Sequence, residues 1–387
     1  MKKIISEIER LKDKIIEIRR HIHMYPDLSG EEFPTRDYIK KTLEKEGIKD
    51  IRTFQNYAGM IVDIKKDEKL PTVAFRADMD ALPIQEENNT PYRSRKEGVM
   101  HACGHDAHSA VLTGFLIALN RHREKLPFNV RGIFQHKEEV MEGGSEDLIR
   151  DGALEGVDAI FGLHMYPYLK TGEIGYKFGE MMASADMFEI EIFGKSAHGA
   201  RPHEGVDAIL TASLVVNSVN HIVSRKIDPL HPAVISFGTI EGGKAANIIC
   251  DHVKLSGTVR SLNDSVRQNI KEMMEEATAG ICRSMGARYN FRYFFGNPEL
   301  INSKKMVDVV IKASKKTAKA VDLKQPVMGG EDFANYLKVV KGAFFRLGSC
   351  NDAKGTCYPQ HHPRFDIDEE SMIIGAKIFA YILKELK

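Results

Sequence analysis

The sequence predicts an α/β protein in which helices flank a mixed, mostly parallel sheet, with a smaller α+β domain inserted into the chain. Strand-like apolar runs alternate with helical ones through the first half, which is typical of a largely parallel, buried sheet. From about residue 186 the order of elements changes, and after residue 296 the alternation of helix and strand resumes. A chain of 387 residues is also longer than one usual domain.

An amphipathic helix opens the chain. Charged residues interrupt its apolar positions every few residues, so the segment lacks the apolar core of a signal peptide. The apolar positions recur at helical spacing and form one broad face: Ile4, Ile5, Ile8, Leu11, Ile15 and Ile18.

Ionisable side chains follow three predicted strands of the first half, at 72–77, 130–135 and 159–163. They are Asp78 and Asp80 after the first strand, Glu138 and Glu139 after the second, and His164 directly after the third. In open α/β sheets, ligands bind at the carboxyl ends of the strands. We therefore expect these groups to converge on one rim of the sheet.

The inserted domain is predicted from the β-α-β-β-α-β order of a ferredoxin-like unit. Its elements are a strand at 186–194, a helix at 205–225, strands at 233–240 and 253–261, a helix at 265–285 and a strand at 287–295. A helix at 304–320, a strand at 342–348 and a closing helix at 369–386 follow it. We expect residues 1–183 and 297–387 to form one discontinuous domain, with residues 184–296 as an inserted lid.

Composition excludes several classes of protein. The formal charge is +1 and no basic stripe or arm occurs, which argues against a nucleic-acid partner. No stretch of 18 uninterrupted apolar residues occurs, so no membrane span is predicted. The five scattered cysteines, an odd number, do not indicate a disulfide framework. These features predict a cytoplasmic protein.

Cys103-Gly104-His105 allows three interpretations. Taken alone, a cysteine and a histidine around one glycine most often form an ordinary buried turn. They could also hold a metal ion, since thiolate and imidazole both suit zinc. A nucleophilic Cys–His pair is the third interpretation, but adjacent residues on a turn point away from one another.

The glutamate pair in "FQHKEEV" and later histidines extend the metal interpretation. In an extended turn, Glu138 and Glu139 point in opposite directions, so one can bind a cation while the other acts as a general base. His164 and the pair His361-His362 add further donors. Five or more donors exceed one tetrahedral site, so the set predicts two ions.

The chain resembles the aminoacylase and carboxypeptidase family of co-catalytic metallopeptidases, which includes hippurate hydrolases and indole-acetyl-amino-acid hydrolases. The resemblance runs from about His21 to Glu370 and rests on nine blocks in order. They are "RRHIHMYPDLS", "FRADMDALPIQE", "MHACGHDAHSAVLTG", "FQHKEE", "GLHMYP", "GKSAHGARPHEGVDAI", "AANIICDHVKLSGTVRS", "MGGEDF" and "HHPRFDIDEE".

The resemblance implies a di-zinc-aminopeptidase-like catalytic domain that binds two divalent ions, zinc first, with manganese, cobalt or nickel as alternatives. The implied ligands are Cys103, His105, Glu139, His164 and His361. Glu138 is the implied general acid/base, and Asp80 resembles a carboxylate that orients a group beside the metals. His361 rather than His362 matches the family pattern H-x-P.

Three residues of the insert also match the family. His198 resembles a histidine that stabilises the oxyanion, in some relatives from a partner subunit, and Asn247 and Arg260 resemble groups that hold a substrate carboxylate. The family further implies a homodimer or higher homo-oligomer formed through the lid.

The implied activity is hydrolysis of the amide bond of N-acyl-L-amino acids by metal-bound hydroxide, assisted by Glu138. A carboxypeptidase and an N-acetyl-diaminopimelate-type deacetylase are the alternatives, and either would also act on a small molecule or short peptide. A non-catalytic binding protein on the same scaffold has no need of a general base. The chain departs from common family patterns at His136, Lys137 and Cys250, which bears on substrate preference; His136 could tune the base or face solvent.

Overall fold

Helices and strands alternate along the chain in the computed structural model, which describes residues 1–386. Ten α-helices occur in these residues: α1 (Lys2–Arg10), α2 (Lys12–Met24), α3 (Phe33–Lys45), α4 (His105–Asn120), α5 (Gly144–Arg150), α6 (Ala208–Arg225), α7 (Asp264–Met285), α8 (Lys304–Ser314), α9 (Phe333–Val339) and α10 (Glu370–Glu385). Fourteen strands occur in the same residues: β1 (Ile51–Thr53), β2 (Met60–Ile64), β3 (Thr72–Asp78), β4 (Asn129–Gln135), β5 (Val157–Lys170), β6 (Glu173–Tyr176), β7 (Gly179–Met182), β8 (Ala185–Phe193), β9 (Ala233–Gly242), β10 (His252–Ser261), β11 (Arg288–Asn297), β12 (Leu300–Asn302), β13 (Lys319–Asp322) and β14 (Gly342–Cys350). None of the helices described is both long and apolar enough to cross a membrane.

The chain divides into two units. The larger unit comprises Met1–Gly179, Ile301–Gln325 and the described residues from Asp332 onward. The smaller unit comprises Glu180–Leu300 and Pro326–Glu331.

An eight-stranded sheet in the order β1-β2-β4-β3-β5-β14-β6-β13 forms the centre of the larger unit. β3 runs parallel to β4 and β5, and β14 runs parallel to β5, whereas β1, β2 and β4 pair in antiparallel fashion. The predicted mixed, mostly parallel sheet is confirmed. Because β3 and β4 are parallel, with Asp78 opposite Gln135, their carboxyl ends lie at one edge of the sheet.

Helix α4 is buried along almost its whole length because it packs against β3 on one side and α2 and α10 on the other. A helix buried on all sides needs apolar side chains all round, which explains the run that follows His108. Gly114 brings α4 close to α2, since a Cβ at this position would lie 2.4 Å from Cγ1 of Ile15. The glycine therefore sets how closely α4, which begins at the proposed metal centre, packs in the core.

The smaller unit contains an antiparallel sheet in the order β11-β8-β10-β9, with α6 and α7 packed together. Alternate side chains of β10 are buried, as expected for a strand with one face on a core. The elements follow the β-α-β-β-α-β order predicted from the sequence.

Three elements differ from prediction. The first helix is two, α1 and α2, separated at Leu11, where ψ is 2°. His164 lies within β5 rather than after a strand, because β5 continues alongside β14 and pairs His164 with Arg346. The helix predicted at 304–320 ends at Ser314, a turn follows, and the last two predicted positions belong to β13 because they pair with β6.

The cysteines also differ from prediction in one respect. Cys350 and Cys357 form a disulfide that closes a short loop after β14. Cys103, Cys250 and Cys282 are free and buried. The odd number of cysteines did not indicate this local disulfide, which forms because the loop brings Cys350 and Cys357 together.

Candidate metal centre

Gly104 makes the turn that separates Cys103 from His105. It has a φ of +96°, in the left-handed region, and a Cβ there would lie 2.9 Å from Cβ of Met165. Only glycine meets both conditions without strain. The turn ends at the first residue of α4, and it leaves the thiol and the imidazole buried on either side.

The structure brings the five predicted ligands together in two overlapping groups. Candidate ligand atoms of Cys103, His105 and His164 lie within 4.8 Å of one another, as do those of Cys103, Glu139 and His361. Sγ of Cys103 is 3.5 Å from Nε2 of His164, and Nε2 of His361 is 3.3 Å from Oε1 of Glu139. Cys103 belongs to both groups, which is the arrangement that two neighbouring ions would need.

Two buried polar atoms of this cluster, Nε2 of His105 and Oε1 of Glu139, form no well-oriented hydrogen bond among the described residues, although Nε2 of His361 lies 3.3 Å from that oxygen. They lie 3.7 Å apart. The other ring nitrogen of His105, Nδ1, is 2.9 Å from the carbonyl oxygen and 3.1 Å from Oδ1 of Asp80. A proton on Nδ1 would be held there, leaving the Nε2 lone pair for a cation. The cluster therefore fits a divalent ion.

Negative charge in the cluster favours a cation. Burial opposes a positive charge on His105, but the charge of Asp78 and the hydrogen bond to Asp80 outweigh it and raise the pKa of His105. Burial and the charge of Glu139 raise the pKa of the Cys103 thiol well above its usual range. A nucleophile and a metal ligand both require the thiolate, so the sulfur of Cys103 needs a neighbouring cation to ionise.

His108 and His101 lie near the cluster in different roles. Nδ1 of His108 donates to Oδ1 of Asp78 at 2.6 Å, and Nε2 accepts the N–H of Met165 at 2.8 Å. Because both nitrogens of His108 are engaged, it supports β5 beside His164 rather than offering a ligand atom. His101 is buried, and burial lowers its pKa to about 4.

Glu138 and Glu139 are half-buried in the loop after β4. Candidate ligand atoms of both residues and of His105 lie within 4.8 Å of one another. Oδ2 of Asp80 accepts the backbone N–H of Glu139 at 2.9 Å. Asp80 thus contacts both His105 and the glutamate loop, an orienting position of the kind that the sequence motif implied.

His136 does not face solvent, so that alternative is wrong. The ring is buried, stacks on Tyr57 with centroids 4.6 Å apart, and lies 3.3 Å from Oδ2 of Asp147. Burial lowers the pKa of His136.

His361 and the adjacent His362 differ in surroundings. The backbone N–H of His361 donates to the carbonyl of Ala102, which ties it to the Cys103 turn. His362 instead stacks on Tyr358, and its Nδ1 accepts the N–H of Arg364. Of the two histidines, only His361 is grouped with Cys103 and Glu139.

A buried ion network below the cluster was missed from the sequence. Arg76 contacts Asp78 at 2.6 Å, Asp332 at 2.7 Å and Oε1 of Gln135 at 2.8 Å. Both carboxylates and the guanidinium are fully buried. The available signal was an arginine in the middle of an otherwise apolar strand, TVAFRAD, together with Asp332 of the "MGGEDF" block.

The three predicted residues of the smaller unit lie on or beside its sheet. His198 and Asn247 are exposed, and the carbonyl of Asn247 accepts the N–H of Gly199. Arg260 is half-buried in β10, burial lowers its pKa, and it forms no ion pair with the described residues.

Comparison with known proteins adds named relatives. The chain is 40% identical over 374 residues to N-acetyl-L-cysteine deacetylase of Bacillus subtilis, covering 97% of this chain and 88% of the relative. It is 36% identical over 384 residues to thermostable carboxypeptidase 1 of Saccharolobus solfataricus, covering 99% and 98%. Among solved structures, the Bacillus subtilis YXEP protein, a dinuclear metal-binding peptidase of the M20 family, aligns with a TM-score of 0.84 at 35% identity, covering 97% and 98%.

The family model of peptidase family M20/M25/M40 matches residues 74–385. This match covers both clusters of candidate ligands and most of the chain, and the aligned dinuclear peptidase supports two divalent ions. The resemblance inferred from the sequence motifs is confirmed: the chain belongs to peptidase family M20/M25/M40 and is a metal-dependent hydrolase.

Proposed function

We propose that the protein hydrolyses the amide bond of N-acyl-L-amino acids, using two divalent ions bound by Cys103, His105, Glu139, His164 and His361. The observation that carries the proposal is the pair of ligand groups that share Cys103, next to the carboxylate of Glu138. Nε2 of His105 and Oε1 of Glu139 support it, because both are buried and neither forms a well-oriented hydrogen bond among the described residues. Zinc is the proposed metal because it suits thiolate, imidazole and carboxylate donors alike.

The ions, when bound, would polarise the amide carbonyl and lower the pKa of water. Glu138 accepts the proton of the attacking water and passes it to the departing amine nitrogen, which makes it both general base and general acid. Asp80 holds the Nδ1–H of His105 and the N–H of Glu139, so it fixes two ligands in orientation.

His198, Asn247 and Arg260 are proposed to act on the substrate from the smaller unit. His198 stabilises the developing oxyanion, and Asn247 and Arg260 bind the carboxylate of the amino acid. The support for Arg260 is its half-buried guanidinium without an ion pair, since a guanidinium binds a carboxylate through two parallel hydrogen bonds.

Release of a C-terminal amino acid from short peptides is the second candidate. Similarity to a relative named carboxypeptidase supports it as directly as similarity to a deacetylase supports the first. An N-acetyl-diaminopimelate-type deacetylase would use the same residues. We further propose that the protein is cytoplasmic and forms a homodimer through the smaller unit, where Ile209, Leu210 and Leu214 of α6 are exposed.

A release assay tests the function. The purified protein is incubated with N-acetyl, N-benzoyl and peptidyl amino acids after dialysis against a chelator and reloading with zinc, manganese or cobalt. We expect turnover of N-acyl substrates that is lost on chelation and restored by metal. Preferential release from peptides would instead establish the carboxypeptidase.

Glu138→Gln tests the assignment of the general base. We expect kcat to fall by about 10² to 10⁴-fold while two metal ions per chain remain bound. Glu142→Gln is the matched control, since Glu142 is an exposed glutamate of the same loop. Unchanged turnover in Glu138→Gln would refute the assignment.

A further inference from the structure

Glu32 immediately precedes α3, but its side chain does not cap that helix. Its Oε1 instead accepts the backbone N–H of Lys137 at 2.8 Å and that of Gly30 at 3.0 Å. The side chain is fully buried, and Oε2 has no hydrogen-bond partner among the described residues. A buried carboxylate is costly, so its placement beside a catalytic loop calls for a role.

Lys137 is the residue directly before the proposed general base. Its φ is +55°, in the left-handed region that non-glycine residues rarely adopt. Such a conformation persists only where the surroundings hold it. Glu32 holds the N–H of Lys137, and the carbonyl of Lys137 accepts the N–H of Gly144 at 3.2 Å.

A second carboxylate anchors the other side of the base. Oδ2 of Asp80 accepts the N–H of Glu139 at 2.9 Å. The backbone is thus fixed at 137 and at 139, and Glu138 lies between the two anchors. Glu32 and Asp80 thus constrain the backbone on both sides of Glu138, and this backbone sets the direction of the Glu138 side chain.

The hydrogen bond between Glu32 and the Lys137 N–H does not depend on the charge of Glu32. Burial, followed by the charge of Asp80, raises the pKa of Glu32 to about 7. The anchoring requires only an acceptor oxygen for the N–H of Lys137, and a neutral side chain of the same shape supplies one.

We infer that Glu32 is a positioning residue for Glu138: its carboxyl group holds the left-handed Lys137 backbone and so directs the general base. The inference rests on the proposed function for the role of Glu138. The anchor itself, a hydrogen bond to one backbone N–H, can be tested without turnover.

The test compares Glu32→Gln, Glu32→Ala and Glu32→Asp with Glu31→Ala, which alters an exposed neighbouring glutamate. Amide hydrogen exchange of a peptide spanning 136–143 is measured in metal-free and zinc-loaded protein, together with kcat, KM and bound zinc. We expect Glu32→Ala to speed exchange in this peptide and to lower kcat by about 100-fold, with KM and zinc content unchanged. Glu32→Gln keeps an acceptor oxygen, so exchange and kcat should stay near those of the unaltered protein, as should those of Glu31→Ala.

Glu32→Asp covers the case in which the alanine variant does not fold. It retains the carboxyl group but is one methylene too short to reach Lys137, so it should follow Glu32→Ala. Unaltered exchange in the 136–143 peptide of both shortened variants would overturn the inference, and so would faster exchange with unchanged kcat. Absence of turnover in the unaltered protein would instead overturn the proposed function, while the exchange measurement would still decide whether the anchor exists.

Discussion

Replacing Arg76 with methionine should destabilise the larger unit strongly. The guanidinium and its two carboxylate partners, Asp78 and Asp332, have no solvent-exposed side-chain surface. Methionine fills part of the volume but removes the guanidinium from two buried carboxylates, although Asp78 keeps its hydrogen bond from His108. Breaking a buried ion pair in this way costs about 3 to 5 kcal/mol of unfolding free energy. Asp332 retains a hydrogen bond from Nε2 of Gln135, which keeps the expected loss within this range.

Arg121→Met is the matched control. Arg121 also contacts two carboxylates, Glu7 and Glu46, but its side chain is 41% exposed. Exposed pairs contribute about 0 to 1 kcal/mol each, so this variant should lose less than about 2 kcal/mol. Because the chain contains no tryptophan, urea unfolding is followed by far-ultraviolet circular dichroism. A loss below about 1 kcal/mol for Arg76→Met would refute the reasoning, because values that small are typical of exposed pairs.

Three further predictions concern metal binding, pH and the glycine turn. Cys103→Ala should leave no more than one ion per chain by elemental analysis, because both ligand groups share this thiol. The control Cys282→Ala, in the smaller unit, should retain two ions. Full metal content in both variants would contradict the shared role of Cys103. Asp366→Asn should lose less stability than the unaltered protein between about pH 5 and pH 3. Burial opposes the ionised form of Asp366, but the charge of the buried Arg19 lowers its pKa. The ionised carboxylate therefore stabilises the fold above the unfolded-state pKa, and this stabilisation is lost as pH falls through the folded-state pKa. Equal pH dependence of the urea midpoints of the two proteins would contradict this prediction. Gly104→Ala should destabilise the protein by about 1 to 3 kcal/mol more than Gly98→Ala. Of these two glycines, only Gly104 has a side chain within 2.9 Å of the added Cβ. Equal urea midpoints for the two variants would argue against the packed turn.

The strands that carry the centre could be predicted closely because their signal is local. β3 and β4 extend only one residue beyond the predicted ranges, at Asp78 and Asn129, since runs of β-branched and apolar residues mark them. β13 was missed because its residues continue a helical pattern and become a strand only by pairing with β6. The break at Leu11 has no signal in the sequence, since neither proline nor glycine occurs there.

The candidate ligands could be named from the sequence because they lie in short blocks that resemble those of a known family. Glu32 and Arg76 could not be assigned in the same way. Glu32 accepts a backbone N–H, which every residue except proline carries, so its partner cannot be recognised from residue type. Arg76 pairs with Asp332, which is 256 positions away along the chain. Contacts of this kind depend on the tertiary fold, which a single sequence does not specify locally.

The position of β14 has a consequence for synthesis of the protein. This strand lies between β5 and β6 in the interior of the sheet, although it follows both by well over a hundred residues in the chain. A polypeptide still emerging from the ribosome has therefore made β5 and β6 long before the strand that joins them exists. His361 is translated later still. A truncated chain that ends before β14 lacks both the sheet's interior strand and one candidate ligand, so the two candidate ligand groups are complete only once translation is almost complete.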